Sequence, residues 1–236
     1  MQTKNIAIIP ARGGSKRIPR KNIKDFLGRP IITWSIEAAL NCGCFDEVVV
    51  STDDEEIASV SISCGAIVPG LRPAELADDF SGTGAVIKQT LKKLDELGYD
   101  CERACCIYAT APFVSSSDIK CGLELLLKRG CEFVFSVTSF ASSIQRGFRL
   151  MDGDHIQMVL PENYKIRSQD LEEFWHDAGQ FYWGTKEAWL NEKEVFTSKS
   201  VGLKIPRYRV QDIDTLEDWK FAELIFKVLQ TSKGNL

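Results

Sequence analysis

The sequence contains no apolar run that reaches the roughly 18 residues of a membrane-spanning helix. Its first apolar run stops at Pro10, without the longer hydrophobic region and small-residue cleavage site of a signal peptide. It also has no internal repeat and no low-complexity segment. These absences argue against a membrane or repeat protein, and they predict a cytoplasmic location and a single domain over residues 1–236.

An excess of positive charge is absent as well. The formal net charge is −4 at pH 7, so the overall electrostatics do not favour nucleic acid as a partner. Positive charge is instead concentrated in thirteen residues near the N-terminus, which contain Arg12, Lys16, Arg17, Arg20, Lys21 and Lys24. This local concentration predicts a binding site for an anion.

The eight cysteines lack the spacing of a zinc site. Cys42-Gly-Cys44 has no matching second pair and no nearby histidine. An even number of cysteines is compatible with disulfides, but a cytoplasmic protein keeps its thiols reduced. We therefore predict free thiols, mostly buried among apolar side chains.

Apolar runs alternate with helical patterns through the first 140 residues. Strands are predicted at 5–10, 47–52, 66–69, 103–109 and 132–140, and helices at 30–41, 53–64, 84–97 and 115–128, with Asp53 as the candidate cap of the second helix. This alternation predicts an α/β fold with a mostly parallel, twisted sheet. Ligands bind such sheets at the carboxyl ends of the strands, so the loops after the strands at 5–10, 47–52 and 103–109 are the expected binding segments.

The pattern changes after about residue 139. Asp152-Gly153-Asp154 separates two apolar stretches, 146–151 and 155–160, which predicts a hairpin over 146–160. A late strand is predicted at 200–205 and a C-terminal helix, opened by Thr215, at 215–229. We interpret 140–175 as an insertion that carries a dimer contact or a substrate lid.

The most informative segment is IIPARGGSKRIPRKN, residues 8–22. A predicted strand leads into a loop with two glycines, a serine and several cations. Glycines let backbone N–H groups approach phosphate oxygens, and the arginines and lysines neutralise phosphate charge. The loop has neither the Gly-Lys-Ser/Thr end of a Walker P-loop nor the glycine spacing of a dinucleotide-binding fold. It predicts a triphosphate site of another kind.

This segment resembles the signature of the CMP-sialic acid synthetase family. Further similar strings are RPAELADD (72–79), YATAPF (108–113), HDAGQFYW (176–183) and DID (212–214), and together they are closest to the pseudaminic acid cytidylyltransferases. The resemblance implies a GT-A-like three-layer α/β fold with a small dimerisation insertion. It also implies CTP and an acidic nine-carbon sugar as substrates, Mg²⁺ or Mn²⁺ as cofactor, and a homodimer.

In the implied reaction, a sugar hydroxyl attacks the α-phosphorus of CTP and pyrophosphate leaves. Arg12 and Lys21 would contact the phosphates, with Lys21 stabilising the charge of the transition state. Asn22 would hold the ribose or the base; for Arg12, a surface ion pair is the alternative. The other nucleotide contacts implied in this loop are Ala11, Gly13, Gly14 and Ser15, and Lys16 and Arg17 are further candidates.

A second segment is implied to contact the nucleotide. Arg72 follows the strand predicted at 66–69, and its family counterpart reads the nucleotide. Ser81 corresponds to a base contact in the family. The alternative for Ser81 is a cap on the helix predicted at 84–97.

Asp212-Ile213-Asp214 places two carboxylates two residues apart. In an extended segment both would point to one side, with Ile213 towards the core. Mg²⁺ takes one or two carboxylates together with phosphate oxygens and water. The resemblance assigns Asp212 and Asp214 to the metal, and Asp214 also to catalysis. The alternative is a capping role before the C-terminal helix.

The resemblance places the sugar near Tyr108, Thr110, His176 and Gln180. Tyr108 replaces the glutamine that contacts the sugar in the sialic acid branch, which favours a differently substituted nonulosonic acid; a core tyrosine is the alternative. His176 and Gln180 could bond the sugar's carboxylate or acylamino groups. The pKa range of histidine would also allow His176 to act as a base.

Three alternatives for the activity stay open. One is the same reaction on legionaminic acid, N-acetylneuraminic acid or KDO. Another is a sugar-1-phosphate nucleotidyltransferase, in which a phosphate is the nucleophile. The third is a non-catalytic nucleotide-binding protein of the same fold, although the presence of Arg12, Lys21, Asp212 and Asp214 argues against it.

Overall fold

A computed structural model describes residues 4–73 and 82–233 of the chain. The strands are Asn5–Pro10 (β1), Glu47–Ser51 (β2), Arg103–Ile107 (β3), Phe133–Ser139 (β4), Phe148–Leu150 (β5), Ile156–Met158 (β6), Trp175–Thr185 (β7) and Ser200–Lys204 (β8). The α-helices are Ile32–Asn41 (α1), Glu55–Ser63 (α2), Thr83–Glu96 (α3), Ser116–Arg129 (α4), Lys186–Leu190 (α5) and Leu216–Lys233 (α6). No helix in the described ranges combines the length and apolar character needed to cross a bilayer.

Six strands form the central sheet in the order β2-β1-β3-β7-β4-β8. Five of them run in one direction, and β7 runs antiparallel between β3 and β4. The predicted α/β fold with a mostly parallel sheet is therefore confirmed. The segment predicted as a strand at 66–69 makes only a single bridge, between Val49 and Ile67. It cannot extend the ladder because Pro69 has no N–H to donate.

Side chains alternate along the strands and divide the apolar core between the two faces of the sheet. Ala7, Ile9 and Val50 pack with α1, α2 and α4 on one face. Ile8 and Val49 pack with α3 and α5 on the other. The expected three-layer arrangement follows, with the carboxyl ends of β1 and β3 at one edge of the sheet.

A third apolar cluster attaches α6 to the loop that follows β1. Ile18 from the loop and Ile213 from the segment before α6 are each 1% exposed and belong to the same cluster. The ring of Trp219 on α6 meets Phe26 edge-on, with centroids 5.6 Å apart. This packing holds the Asp212-Ile213-Asp214 segment beside the loop of residues 11–22.

The helix caps differ from two of the expectations. Asp54, not Asp53, caps α2: its carboxylate accepts hydrogen bonds from the backbone N–H groups of Glu56 and Ile57, both at 3.0 Å. The cap of α6 comes from Thr215 and Asp218, because Asp218 accepts from the Thr215 N–H at 2.8 Å and donates its own N–H to Thr215 Oγ1. Asp212 and Asp214 are therefore not needed as caps.

The segment 140–175 carries the predicted hairpin, in which β5 and β6 pair antiparallel. Each strand is only three residues long, shorter than the stretches predicted at 146–151 and 155–160. Many of its apolar side chains face solvent, including Phe148, Leu150, Met151, Ile156 and Tyr164, each at least half exposed.

All eight cysteines are free thiols, as expected. Cys105 and Cys106 lie fully buried in β3, and burial raises the pKa of both. The expected burial holds only for Cys101, Cys105 and Cys106, since four of the other cysteines are half-buried and Cys121 is exposed on α4.

Candidate active site

A cleft of about 290 Å³ opens where the loop after β1 meets the end of β3, α3 and the segment before α6. We call it the phosphate cleft. It is lined by Arg12, Ser15, Lys16, Arg17, Lys21, Asn22, Arg72, Thr83, Tyr108, Thr110 and Asp214, among others. The folded chain thus brings together most of the residues that the sequence indicated for nucleotide and metal. Ser81 lies outside the described residues.

The loop after β1 is fixed by backbone contacts. Ala11 is buried and its N–H donates to Ser51 O at 2.9 Å, so its side chain faces the core and not the cleft. The Gly13 N–H donates to Asp53 Oδ1 at 2.9 Å. A Cβ at Gly13 would lie 2.6 Å from Asp54 Oδ2, whereas nothing lies within 4 Å of the corresponding position at Gly14. Position 13 therefore requires glycine, because a side chain there would collide with Asp54. Position 14 has room for a side chain.

The basic cluster divides into two groups. Arg20 turns away from the cleft and pairs with Asp54 and Glu56. The hydrogen bond to Asp54 is the main cause that raises the pKa of Arg20. Lys24 lies over the ring of Trp219, 5.6 Å from its centroid. The remaining cations of this cluster line the cleft. They are Arg12, Lys16, Arg17 and Lys21.

Lys21 connects the loop to the late acidic segment. Its Nζ donates to the carbonyl of Ile213 at 2.8 Å and lies 3.7 Å from Asp214 Oδ1. Arg17 donates to the same Asp214 oxygen at 2.8 Å. Asn22, 7% exposed, donates to the carbonyl of Arg12 at 2.8 Å, so its amide holds the loop instead of facing open solvent.

The two aspartates of this segment interact unfavourably. Solvent reaches Asp212, yet the surrounding protein removes part of its hydration, which raises its pKa. The charge of Asp214 raises it further, and Lys21 opposes both effects. A divalent cation beside the pair would relieve this repulsion. No cluster of three or more His, Cys, Asp or Glu side chains in the described ranges could hold a metal. The remaining ligands would have to be phosphate oxygens and water, which fits Mg²⁺.

Arg72 presents a buried guanidinium to the cleft. Its side chain is 4% exposed, and it lies 3.7 Å from Asp53 Oδ1. Burial lowers the pKa of Arg72; Asp53 opposes this effect and Arg12 adds to it. The Nε atom has no hydrogen-bond partner among the described residues. A buried donor without a partner is costly, so this group is suited to bind a ligand acceptor.

The four residues expected to bind the sugar do not all line the same cavity. Tyr108 and Thr110 line the phosphate cleft. A second cavity of about 660 Å³ adjoins the cleft and shares Thr83 and Tyr108 with it. His176 and Gln180 line neither space.

Gln180 is 3% exposed and its Nε2 donates to the carbonyl of Arg209, so its side chain faces neither space, and its contact with the sugar stays a prediction. Gln180 lies in the part of β7 where the pairing with β4 shifts register, between the pairs Phe135–Tyr182 and Val137–Asp177. His176 lines a third cavity of about 690 Å³ that meets the second at Asp177 and Phe196. Its Nδ1 donates to the carbonyl of Asp177 at 2.8 Å, which leaves Nε2 as the unprotonated ring nitrogen, and the role of His176 as a base stays a prediction.

The structure also reveals site residues that sequence reasoning missed. Asp53 and Asp54 hold the two ends of the loop through Gly13 and Arg20. Asp177, adjacent to His176, lines the second cavity. Asp53 and Asp54 directly follow a strand whose carboxyl end was expected to bind ligand, and that position is the signal that could have identified them.

Comparison with known proteins gives a consistent result. The family model described as cytidylyltransferase matches residues 6–199. A pseudaminic acid cytidylyltransferase of Campylobacter jejuni subsp. jejuni serotype O:2 is 47% identical over 225 residues, which cover 95% of this chain and 97% of the relative. A CMP-N,N'-diacetyllegionaminic acid synthase of Legionella pneumophila is 31% identical, over 95% of this chain and 97% of the relative.

Among solved structures, CMP:2-keto-3-deoxy-manno-octonic acid synthetase complexed with CTP superimposes with a TM-score of 0.72. The alignment covers 95% of this chain and 99% of that chain at 15% identity. At that identity the likeness concerns the fold, and it agrees with the GT-A-like α/β architecture expected from the sequence.

Proposed function

Because the chain belongs to the cytidylyltransferase family, we propose that it transfers CMP from CTP to the anomeric hydroxyl of pseudaminic acid and releases pyrophosphate. The observation that carries the proposal is the phosphate cleft. Arg12, Lys21 and Arg72 face one space together with Asp214, at the sheet edge where α/β proteins bind ligands. A triphosphate needs this combination of cations and an acidic group for its metal.

In the reaction, the anomeric hydroxyl loses its proton to solvent and its oxygen forms a bond to the α-phosphorus, as the bond from that phosphorus to the departing pyrophosphate breaks. Charge develops on the phosphate oxygens and on the leaving group. Lys21, whose Nζ donates to the Ile213 carbonyl at 2.8 Å, lines the cleft and would stabilise that charge. Arg12 would bind the phosphates, and Arg72 the nucleotide.

We propose Asp212 and Asp214 as the protein ligands of Mg²⁺, or of Mn²⁺. Their mutual repulsion supports this role, since a bound cation would remove it. When bound, the ion would neutralise phosphate charge and make the attacking hydroxyl more acidic. Arg17 and Lys21, which now contact Asp214, would then be released to the phosphates.

Pseudaminic acid is favoured over the other acid sugars by the relatives. Identity is 47% to the pseudaminic acid enzyme of C. jejuni and 31% to the legionaminic acid enzyme. The second cavity also supports a sugar beside the cleft, because its volume lies in the range of about 300–1,000 Å³ typical of small-molecule sites.

The insertion supports a homodimer. Its hairpin exposes Leu150 at 70% and Ile156 at 65%, and adjacent exposed apolar side chains of this kind mark protein contacts. Leu150→Glu should convert a dimer to monomer in light scattering. Ile62→Glu, at an equally apolar and 58% exposed position on α2, should leave the mass unchanged. A cytoplasmic location is also proposed, consistent with eight free thiols.

The proposed activity is tested by incubating the protein with CTP, Mg²⁺ and one acid sugar at a time, and measuring pyrophosphate release. Pseudaminic acid should give the highest kcat/KM among pseudaminic, legionaminic and N-acetylneuraminic acids and KDO. A sugar-1-phosphate serves as the control and should give no pyrophosphate. Turnover with the sugar-1-phosphate alone would contradict the proposal.

A further inference from the structure

Two hydrogen bonds orient the carboxylate of Asp177 in the second cavity. Asp177 Oδ1 accepts the Gly179 N–H at 2.9 Å, and Asp177 Oδ2 accepts the hydroxyl of Tyr182. A carboxylate has about four lone-pair sites, so acceptor capacity remains for a ligand. Asp177 is half-buried and lines the cavity itself.

Tyr182 keeps this carboxylate in the acceptor role. Its side chain is 5% exposed and packs against the rings of Tyr108 and Phe135, with centroids 5.3 and 5.9 Å away. Burial raises the pKa of Tyr182, and the neighbouring Tyr108 and Asp177 raise it further. The hydroxyl therefore stays protonated and continues to donate. In the cavity, Asp177 can therefore accept hydrogen bonds from the N–H and O–H groups of a ligand.

The two adjoining spaces differ in charge. The phosphate cleft is lined by Arg12, Lys16, Arg17, Lys21 and Arg72 against one carboxylate. The second cavity is lined by Asp177, Glu192, Glu194 and Lys193. Lys193 is already paired with Glu132 at 2.8 Å and Glu187 at 3.3 Å, and Glu192 with Lys88, so the excess negative charge of this cavity comes from Asp177 and Glu194. An anionic sugar that spans both spaces would place its acid end in the cleft and its other end in the cavity.

We propose that Asp177 determines sugar specificity: it accepts an acylamino N–H or a hydroxyl from the end of the sugar remote from its carboxylate. The same charge disfavours the reversed orientation, in which two carboxylates would face each other. The anomeric hydroxyl, next to the acid group, is then directed to the phosphate cleft. This inference rests on the proposed function, because it assumes an acid sugar as the second substrate.

Asp177→Asn tests the assignment with little change in shape. The amide oxygen can still accept from Gly179, and its NH₂ can donate to Tyr182, so both internal contacts survive. We expect kcat/KM for pseudaminic acid to fall roughly 10- to 100-fold, through a higher KM for the sugar, which is the scale of a lost charged hydrogen bond. The KM for CTP should stay within about twofold, since Asp177 does not line the phosphate cleft.

Asp100→Asn is the matched control, because Asp100 is exposed near the opposite end of β3. It should leave both KM values unchanged. An unchanged sugar KM in Asp177→Asn would overturn the assignment, and so would an equal rise in both KM values, which indicates a structural role. Wild-type protein that releases no pyrophosphate with pseudaminic acid would overturn the proposed function instead.

Discussion

Replacing Lys21 by methionine should lower kcat by roughly 10²- to 10³-fold, the cost of removing one preorganised charge-stabilising donor. Methionine keeps most of the apolar stem and removes only the ammonium group. In the folded protein that group contacts the Ile213 carbonyl at 2.8 Å and lies 3.7 Å from Asp214. Turnover is measured as pyrophosphate release at saturating CTP and sugar.

The same substitution should change stability much less than catalysis. The Lys21 and Asp214 side chains are 21% and 38% exposed, and ion pairs open to solvent contribute about 0–1 kcal/mol. For a chain of this size the ion pair accounts for a fall in Tm of at most roughly 4 °C, and the lost hydrogen bond to the Ile213 carbonyl, about 0.5–1.5 kcal/mol, adds a similar amount. The transition-state effect corresponds to about 2.7–4 kcal/mol. The two measurements therefore separate a catalytic role from a structural one.

Lys24→Met is the matched control for this prediction. Lys24 belongs to the same basic segment, but it lies over Trp219 and does not line the phosphate cleft. Its turnover should remain within about threefold of wild type, since it makes no contact that the reaction needs. Near-normal turnover in Lys21→Met, or an equal loss in both variants, would refute the reasoning.

Three other substitutions test the metal and the loop. Asp214→Asn should shift the Mg²⁺ titration of activity to roughly tenfold higher concentration or more, and an unchanged titration would place the metal elsewhere. Gly13→Ala should lower Tm by several degrees because its Cβ would lie 2.6 Å from Asp54 Oδ2, whereas Gly14→Ala, with open space, should not. Asp54→Asn keeps the helix cap but loses the charge pair with Arg20, and should cost about 1 kcal/mol at pH 7. The pKa of Asp54 lies below its ordinary value, mainly through Arg20, so the wild-type advantage in Tm should be full above about pH 4 and disappear as the pH falls below it.

Several features of the site could be read from local sequence alone. Periodicity and turn residues indicated β1, β2, β3, β4 and the helices between them, because these signals depend only on neighbouring residues. The order of glycines and cations after β1 indicated a phosphate loop for the same reason. Errors of one residue, such as the choice of Asp53 over Asp54 as a cap, arose where two adjacent side chains were equally suitable.

Long-range packing decided the rest. The contact between Lys21 and Ile213 joins residues 192 positions apart, and it depends on the burial of Ile18 and Ile213 in one apolar cluster. No local signal specifies that cluster. In the same way, the pairing of Arg20 with Asp54 removed one cation from the expected anion site.

The sequence by itself determined the alternating α/β pattern, the phosphate loop and the free thiols, since each follows from residue type and short-range spacing. Only the tertiary structure decided that β7 runs antiparallel between β3 and β4, that Gln180 turns towards Arg209, and that Asp177 lines the cavity beside Tyr108. The direction of a side chain on β7 depends on a register shift against β4, and strand register is set by partners distant in the chain.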